Sequence, residues 1–361
     1  MSLQIVGTIM LTTHAHQTAP DGRVGNKSDT IKSGMFCTDG RRRQIPFITA
    51  NSVRGLLRRC AADRVMDALD TPISRQLFHC LTRGAASRSG IGAEPTVEGL
   101  VEGQRNVFAG LFGGGPYMLH SRYGIGPLLP AVSWLGHILH PSVRDQAINV
   151  ENLTYRDADG NVRDIGLTTE IILTGKDDLM AGKGQDRIEN YQQSLSEWLA
   201  HVTDGREAKA KKKAAEKVAK AEGTQLDAAA AAGASSDLMG FNFIEAMLPG
   251  TPLQFWLRLK PLATDAQVGL ALMAVRDWAN RNEVGGASAR GFGRFEARLA
   301  LYDDATQVSP AIFRPGDHAT SYELSDDVAV YVAAAEKALS ELTIEALEKA
   351  YAPMPEAKKV A

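Results

Sequence analysis

Seven arginines face a single acid, Asp63, between Arg41 and Arg64. A block of that kind has the charge and the forked donor geometry to hold phosphate oxygens. Within it, Arg54 and Arg58 are four residues apart, so on a helix both guanidinium groups reach the same line of phosphates. The plainer reading is a solvated helix face, where such charges contribute little. The unbroken run Arg41, Arg42, Arg43 just upstream adds weight to phosphate contact.

A second candidate is Gly285–Phe295, GGASARGFGRF, in which Gly291 and Gly293 flank Phe292 and are themselves flanked by Arg290 and Arg294. Small residues let a backbone approach closely, the ring offers a face for stacking, and the arginines suit a polyanion. Arg290 to Gly293 matches the opening of the RRM stacking motif, and Arg294 departs where that motif has an aromatic. The plainer reading here is a glycine turn leading into a buried strand. Phe292, not Lys, follows Gly291, so the segment is no P-loop.

Two histidine pairs, His14 with His16 and His137 with His140, have metal-ligand spacing. Neither has a carboxylate or cysteine close in sequence to complete a site, so no metal and no cofactor is expected. Hydrogen bonding to phosphate or a polar core role fits them better. Asp21, Asp29 and Asp39 lie in a polar stretch where a metal-assisted nuclease would carry an acid, and where ordinary turn aspartates also occur. No nucleophile elbow or zinc-protease motif is present.

The elements that must position these groups show in the hydrophobic pattern. Leu3 to Thr13 reads as an apolar strand, and His14 to Arg43 as a long exposed loop. A helix is expected from about Ser52 to Leu69, capped by Asn51 or Ser52. Phe241–Leu248 and Leu253–Lys260, joined by Pro249-Gly250-Thr251, read as a hairpin. A second helix follows from Ala266 to Arg281, and Phe292 to Tyr302 alternates like a half-buried strand. The order strand, helix, strand, strand, helix, strand predicts an α+β fold of the ferredoxin-like or RRM-like kind. That frame takes residues 1–69 and 240–305. Residues 70–239 form an insertion too long for a plain loop, with a low-complexity, Lys- and Ala-rich run at 206–236. Residues 306–361 add a helical extension, its helical pattern running from Val328 to Tyr351.

At 361 residues, 44% hydrophobic and 23% charged, the chain has the composition of a soluble globular protein. Forty basic and 42 acidic residues nearly cancel, so polyanion binding must come from local clusters. Three cysteines, Cys37, Cys60 and Cys80, support neither a disulfide framework nor a four-ligand zinc site. A cytoplasmic, non-membrane location is expected, because the start lacks a signal-peptide pattern and no long apolar run occurs.

Three segments, Ile45–Arg59 (IPFITANSVRGLLRR), Glu245–Thr251 (EAMLPGT) and Gly285–Phe295 (GGASARGFGRF), resemble in this order the signature segments of the RAMP superfamily of CRISPR-associated proteins. The chain looks most like the repeated backbone subunit of an effector complex, in its type IV form. The resemblance implies a ferredoxin-like palm with inserted finger and thumb elaborations. It also implies head-to-tail copies along one guide RNA (crRNA), other effector subunits as partners, and target nucleic acid recruited by pairing with the guide. It places Ser52, Arg54 and Arg58 against the guide backbone and the Arg290–Arg294 loop where the family's glycine-rich loop lies. The RNA-binding set is then His14, His16, Arg41, Arg42, Arg43, Ser52, Arg54, Arg58, Arg290, Gly291, Phe292, Gly293 and Arg294. No catalytic residue is expected. The alternative is a metal-dependent endoribonuclease of the same superfamily cutting target RNA through Asp29, although the spacing and flanks of Asp29 differ from the family's acid.

Overall fold

The computed structural model describes residues 2–24, 26–84, 97–115, 118–176, 189–190, 192–193, 196, 200, 239–316 and 321–351. The low-complexity run at 206–236 lies outside them. In chain order the elements are β1 (Leu3–Leu11), β2 (Thr18–Val24), β3 (Lys27–Thr30), β4 (Lys32–Phe36), β5 (Arg42–Pro46), α1 (Ala50–Leu69) and α2 (Arg75–Arg83). Then come α3 (Val97–Arg105), α4 (Val107–Phe112), β6 (Tyr123–Ile125), β7 (Leu129–Pro130), α5 (Pro141–Arg144), β8 (Thr154–Arg156), β9 (Val162–Asp164), β10 (Thr168–Lys176), β11 (Met239–Met247) and β12 (Pro252–Leu259). The chain closes with α6 (Asp265–Arg281), β13 (Phe295–Asp303), β14 (Thr306–Ser309), β15 (Phe313–Pro315), β16 (Tyr322–Leu324), α7 (Ala329–Ser340) and α8 (Ile344–Tyr351). Two compact units emerge, one of Met1–Gly22, Asp29–Thr169 and Glu245–Ala361, the other of Arg23–Ser28 and Glu170–Ile244. The protein is thus a mixed α+β chain with antiparallel sheets, and among the described residues no helix is long and apolar enough to cross a membrane.

The larger unit is built on a sheet of order β14-β13-β1-β12-β6, with β7 also paired to β12. Strand β1 is central, antiparallel to β12 (Val6 opposite Trp256) and to β13 (Val6 opposite Ala300). Its odd positions, Ile5, Ile9 and Leu11, face a core with Val53, Leu57 and Val65 of α1 and Val268, Leu272 and Trp278 of α6. Trp278 stacks between Phe255 at 5.5 Å and Phe295 at 4.8 Å, and its indole N–H donates to the Glu283 carbonyl at 2.9 Å. Fully burying a side chain of this size stabilises by about 1.5–3 kcal/mol, so this aromatic column is a principal tie between sheet and helix. On the other face, Val6 joins a second core with Ile45, Trp134, Leu135, Leu139 and Val143. The two helices α1 and α6 are also joined by the Arg64–Asp277 ion pair.

In the smaller unit, β3 runs parallel to β11, with Lys27 opposite Phe243 and Ser28 opposite Ile244. Lys27 pairs with Glu170 at 3.5 Å.

Several expectations need correction. The two segments expected to form a hairpin are both strands, β11 and β12, but they do not pair with each other. The Pro249-Gly250-Thr251 turn does form, yet Gly250 N–H donates to the Leu11 carbonyl at 2.7 Å and Leu11 N–H to Thr251 at 3.1 Å, so the turn closes onto β1. Strand β12, buried along most of its length, has both edges taken by β1 and by β6 and β7. Strand β11 has to leave, and it pairs with β3 instead.

The stretch expected as one loop, His14–Arg43, holds β2, β3, β4 and the start of β5. Its polar residues are the outward half of an alternation whose inward half, Met35 and Cys37 with Ile45 across the ribbon, packs into the second core. Helix α1 is capped by Thr49, whose hydroxyl accepts from Ser52 N–H at 3.3 Å, not by Asn51 or Ser52. The long C-terminal helical pattern breaks into α7 and α8, with the Thr343 hydroxyl capping the second through Ala346 N–H at 3.1 Å.

Candidate nucleic-acid interface

Beyond β1 the chain continues as an extended strip, Thr12–Gln17, and the three segments quoted above meet on it. From the glycine-rich segment, Arg294 N–H donates to the Thr13 hydroxyl at 2.9 Å and Gly293 N–H to the His14 carbonyl at 2.7 Å, and Gly286 N–H donates to the His16 carbonyl at 2.6 Å. From Glu245–Thr251, Met247 exchanges backbone hydrogen bonds with Ala15 at 2.7 and 3.2 Å. From Ile45–Arg59, Thr49 N–H donates to the Gln17 amide oxygen at 2.9 Å, and the Gln17 amide donates back to the Thr49 hydroxyl at 2.8 Å. Gln17 therefore fixes the residue that caps α1. Neither Gln17 nor Thr49 stood out in the sequence, because the pairing spans 32 residues and no local rule sees it.

The glycine loop is shaped by backbone sterics. Gly293 has φ +77°, and a Cβ there would collide with the Val284 carbonyl oxygen. Gly291 at φ +81° and Ala287 at φ +61° are likewise left-handed, the region non-glycine residues rarely adopt. These turns aim Phe292 inward: the ring is 6% exposed and lies 6.2 Å from the His14 ring. Phe292 offers no free face for stacking, which corrects the expectation for it. Ala289, Arg290 and Gly291 are exposed, the N–H groups of Arg290 and Gly291 donate back to the Ala287 and Ser288 carbonyls at 2.9 Å, and Arg290 has no ion-pair partner among the described residues. Arg294 is half-buried, donates to the carbonyls of Arg281 at 3.1 Å and Asn282 at 3.2 Å, and lies 3.7 Å from Glu283.

The histidines divide in the same way. His16 is 4% exposed, its Nδ1 is 2.7 Å from the Glu245 carbonyl and its Nε2 is 3.0 Å from the Thr18 hydroxyl. A carbonyl only accepts, so Nδ1–H donates to Glu245, and Nε2 shares a hydrogen bond with the Thr18 hydroxyl. Both ring nitrogens are engaged, so His16 is a framework residue and not a phosphate contact. His14 is half-buried beside the glycine loop. Glu245 itself is shielded by its surroundings: burial pushes its pKa up, but hydrogen bonds from Lys32 and Thr168 and the Lys32 charge outweigh this and hold it low.

On α1 the two arginines turn inward. Arg58 is 5% exposed and donates to the carbonyls of Leu81 (2.7 Å), Cys80 (2.5 Å), Phe112 (3.1 Å) and Gly113 (3.0 Å), and to the Tyr351 hydroxyl at 3.5 Å. Burial pushes its pKa down. Arg54 donates to the Phe112 carbonyl at 3.0 Å and lies over the Tyr123 ring at 5.5 Å. Burial pushes the Tyr123 hydroxyl up to about 12. The expectation that Arg58 meets a phosphate is corrected: a buried guanidinium turned onto backbone carbonyls is out of reach of a phosphate at the surface. Ser52 is half-buried at the start of α1.

The upstream arginines split again. Arg41 and Arg42 are exposed, whereas Arg43 turns inward, 4.3 Å above the Trp134 ring and paired with Asp39 at 2.7 Å and Asp164 at 3.0 Å. Asp29, the acid of the alternative enzymatic reading, is half-buried on β3.

No protein-family model matches the chain. No curated protein matches it either. Among solved structures, a chain of a "Type IV-B CRISPR Complex" is similar over 89% of this chain and 96% of its own length, with a TM-score of 0.46 and 16% sequence identity.

Proposed function

We propose that the chain is a non-catalytic, crRNA-binding backbone subunit of a cytoplasmic CRISPR effector complex, of the type IV form, whose copies line up head to tail on one guide RNA. The observation that carries this reading is the convergence of the three resembling segments on Thr12–Gln17. Ile45–Arg59 lies more than 180 residues before the other two segments and has no local reason to adjoin them, and their meeting leaves Ala289–Gly291 exposed at the surface, with Arg290 lacking an ion-pair partner among the described residues. The sheet supports the same reading. Its order β13-β1-β12-β6, with α1 following β1 and α6 following β12, matches the 4-1-3-2 order that a ferredoxin-like palm would have if the short β6 stood in for the strand expected from β11.

A guide held through its phosphates, with bases left to pair with a target, needs arginines and exposed backbone and no base code. Near-neutral net charge suits identical subunits packed side by side, which would repel if each were strongly basic. Other effector subunits and a paired target strand complete the set of partners.

The test is purification of the chain from cells that co-express a CRISPR array, with a high-salt wash, followed by the absorbance ratio, the particle mass and sequencing of extracted nucleic acid. Large particles with RNA of uniform length and a repeated end sequence are expected. A monomer free of RNA overturns the reading. Particles that cleave paired target RNA, with cleavage abolished by Asp29→Ala and binding intact, transfer the assignment to the nuclease.

A further inference from the structure

The β4–β5 ribbon carries an exposed aromatic that the function above does not use. Phe36 is 71% exposed at the end of β4, directly opposite Arg42 on β5. In an antiparallel pair, residues in register share a face, so Phe36, Arg42, Gly34 and Gln44 all point outward. Arg42 lies flat across Gly34: a Cβ at Gly34 would come within 2.6 Å of the Arg42 Nη2. The glycine thus supplies bare backbone on which the guanidinium rests beside the ring.

The other face of the ribbon is held firmly. Met35, Cys37 and Ile45 pack into the second core, and Arg43 is clamped by Asp39, Asp164 and the Trp134 ring. The tip is closed by Cys37 N–H to the Arg41 carbonyl at 2.8 Å and Gly40 N–H to the Cys37 carbonyl at 2.9 Å. Turning Phe36 inward would break this packing, so its exposure is fixed by the fold.

The chemistry around the ring selects the occupant. Exposed Arg42 stands across from Phe36, the nearby acid Asp39 is already bonded to Arg43, and Arg42 has no carboxylate partner among the described residues. A protein-docking patch would set several apolar side chains together, whereas a lone ring bordered by a guanidinium group matches a nucleobase with its phosphate.

We infer that the outward face of the β4–β5 ribbon binds single-stranded RNA, one unpaired base stacking on Phe36 while Arg42 takes the adjoining phosphate. The inference rests on the reading of the chain as an RNA binder and adds a stacking position to it.

The experiment titrates the full chain into an unstructured single-stranded RNA bearing 2-aminopurine, whose fluorescence falls on stacking. Phe36→Ala should weaken binding by about 5- to 150-fold, the range expected for loss of one base–aromatic stack, and remove the quench at the labelled position. Phe36→Trp should restore both. Since the site is exposed, circular dichroism and the urea midpoint should not change. Phe36→Ala should keep the salt slope, while Arg42→Ala should make it shallower by about 0.7. Binding and quench equal to wild type in Phe36→Ala overturn the inference and leave the RNA-binding reading intact. Loss of self-association without a change in RNA affinity assigns the ring to a protein contact and overturns it as well. A wild-type chain that binds no RNA overturns the broader reading, and this inference with it.

Discussion

Two sets of arginines in this protein have similar local sequence and opposite fates. Arg54 and Arg58 of α1 sit in a carbonyl-lined interior, whereas Arg41, Arg42 and Arg290 stand in solvent. In both regions the residue is the same, and the acceptors differ. A guanidinium whose donors are satisfied by backbone carbonyls holds segments together, and one without fixed acceptors is free for an anion. Spacing along a helix places two arginines on one face but does not say which way that face points, and here it points toward α2, α4 and α8.

The comparison is broken most severely by Arg58→Ala. It removes the Arg58 bonds to the carbonyls of Cys80, Leu81, Phe112 and Gly113 and empties a buried site, and a loss of about 3–5 kcal/mol is expected in urea denaturation. Lys at this position keeps the charge and loses the fork, so Arg58→Lys should rescue little. Arg54→Ala should cost about 1–1.5 kcal/mol, for one carbonyl bond and contact with the Tyr123 ring, with the salt dependence of RNA binding unchanged. A slope shallower by about 0.7 would instead return Arg54 to the RNA. Thr49→Ala removes the cap of α1 and a partner of Gln17, and about 1 kcal/mol should be lost.

In the solvent-facing set, Arg290→Ala should leave the urea midpoint unchanged and flatten the salt slope by about 0.7 per subunit. An unchanged slope would remove Arg290 from the interface. The smallest effect comes from Asp39, whose carboxyl is lowered to about 2, chiefly by the Arg43 hydrogen bond. A depressed folded-state pKa stabilises above the ordinary carboxylate value and loses that contribution as pH falls through about 2. Asp39→Asn should therefore lower stability at neutral pH and narrow the gap from wild type between about pH 4 and pH 2, as followed by denaturation at stepped pH.

The frame was largely legible in the sequence. The α1 and α6 stripes, the apolar β1 and the alternation of β13 each carry a local period that tertiary packing did not override. The β11–β12 turn was legible too, but not the pairing, because Pro249-Gly250-Thr251 specifies a reversal and says nothing about which edge remains open. Which aromatic faces solvent was hard to read for a related reason. Phe292 stands between glycines and arginines, yet left-handed backbone turns it inward, while Phe36 is hidden in the polar string KSGMFCTDG. Only the alternation of Met35 and Cys37 with their neighbours signals that Phe36 faces out, and a five-residue strand is short for that signal to be read.

The position of β1 has a consequence during synthesis. This apolar strand is made well before both of its neighbours, β12 and β13, which come much later in the chain. With β12 roughly 240 residues downstream and translation at about 5–20 residues per second, β1 waits on the order of ten to fifty seconds for its first sheet partner. Through that interval a nascent chain carries an unpaired hydrophobic strand, so slowing translation before Pro252 should increase its dependence on chaperones that hold extended apolar segments.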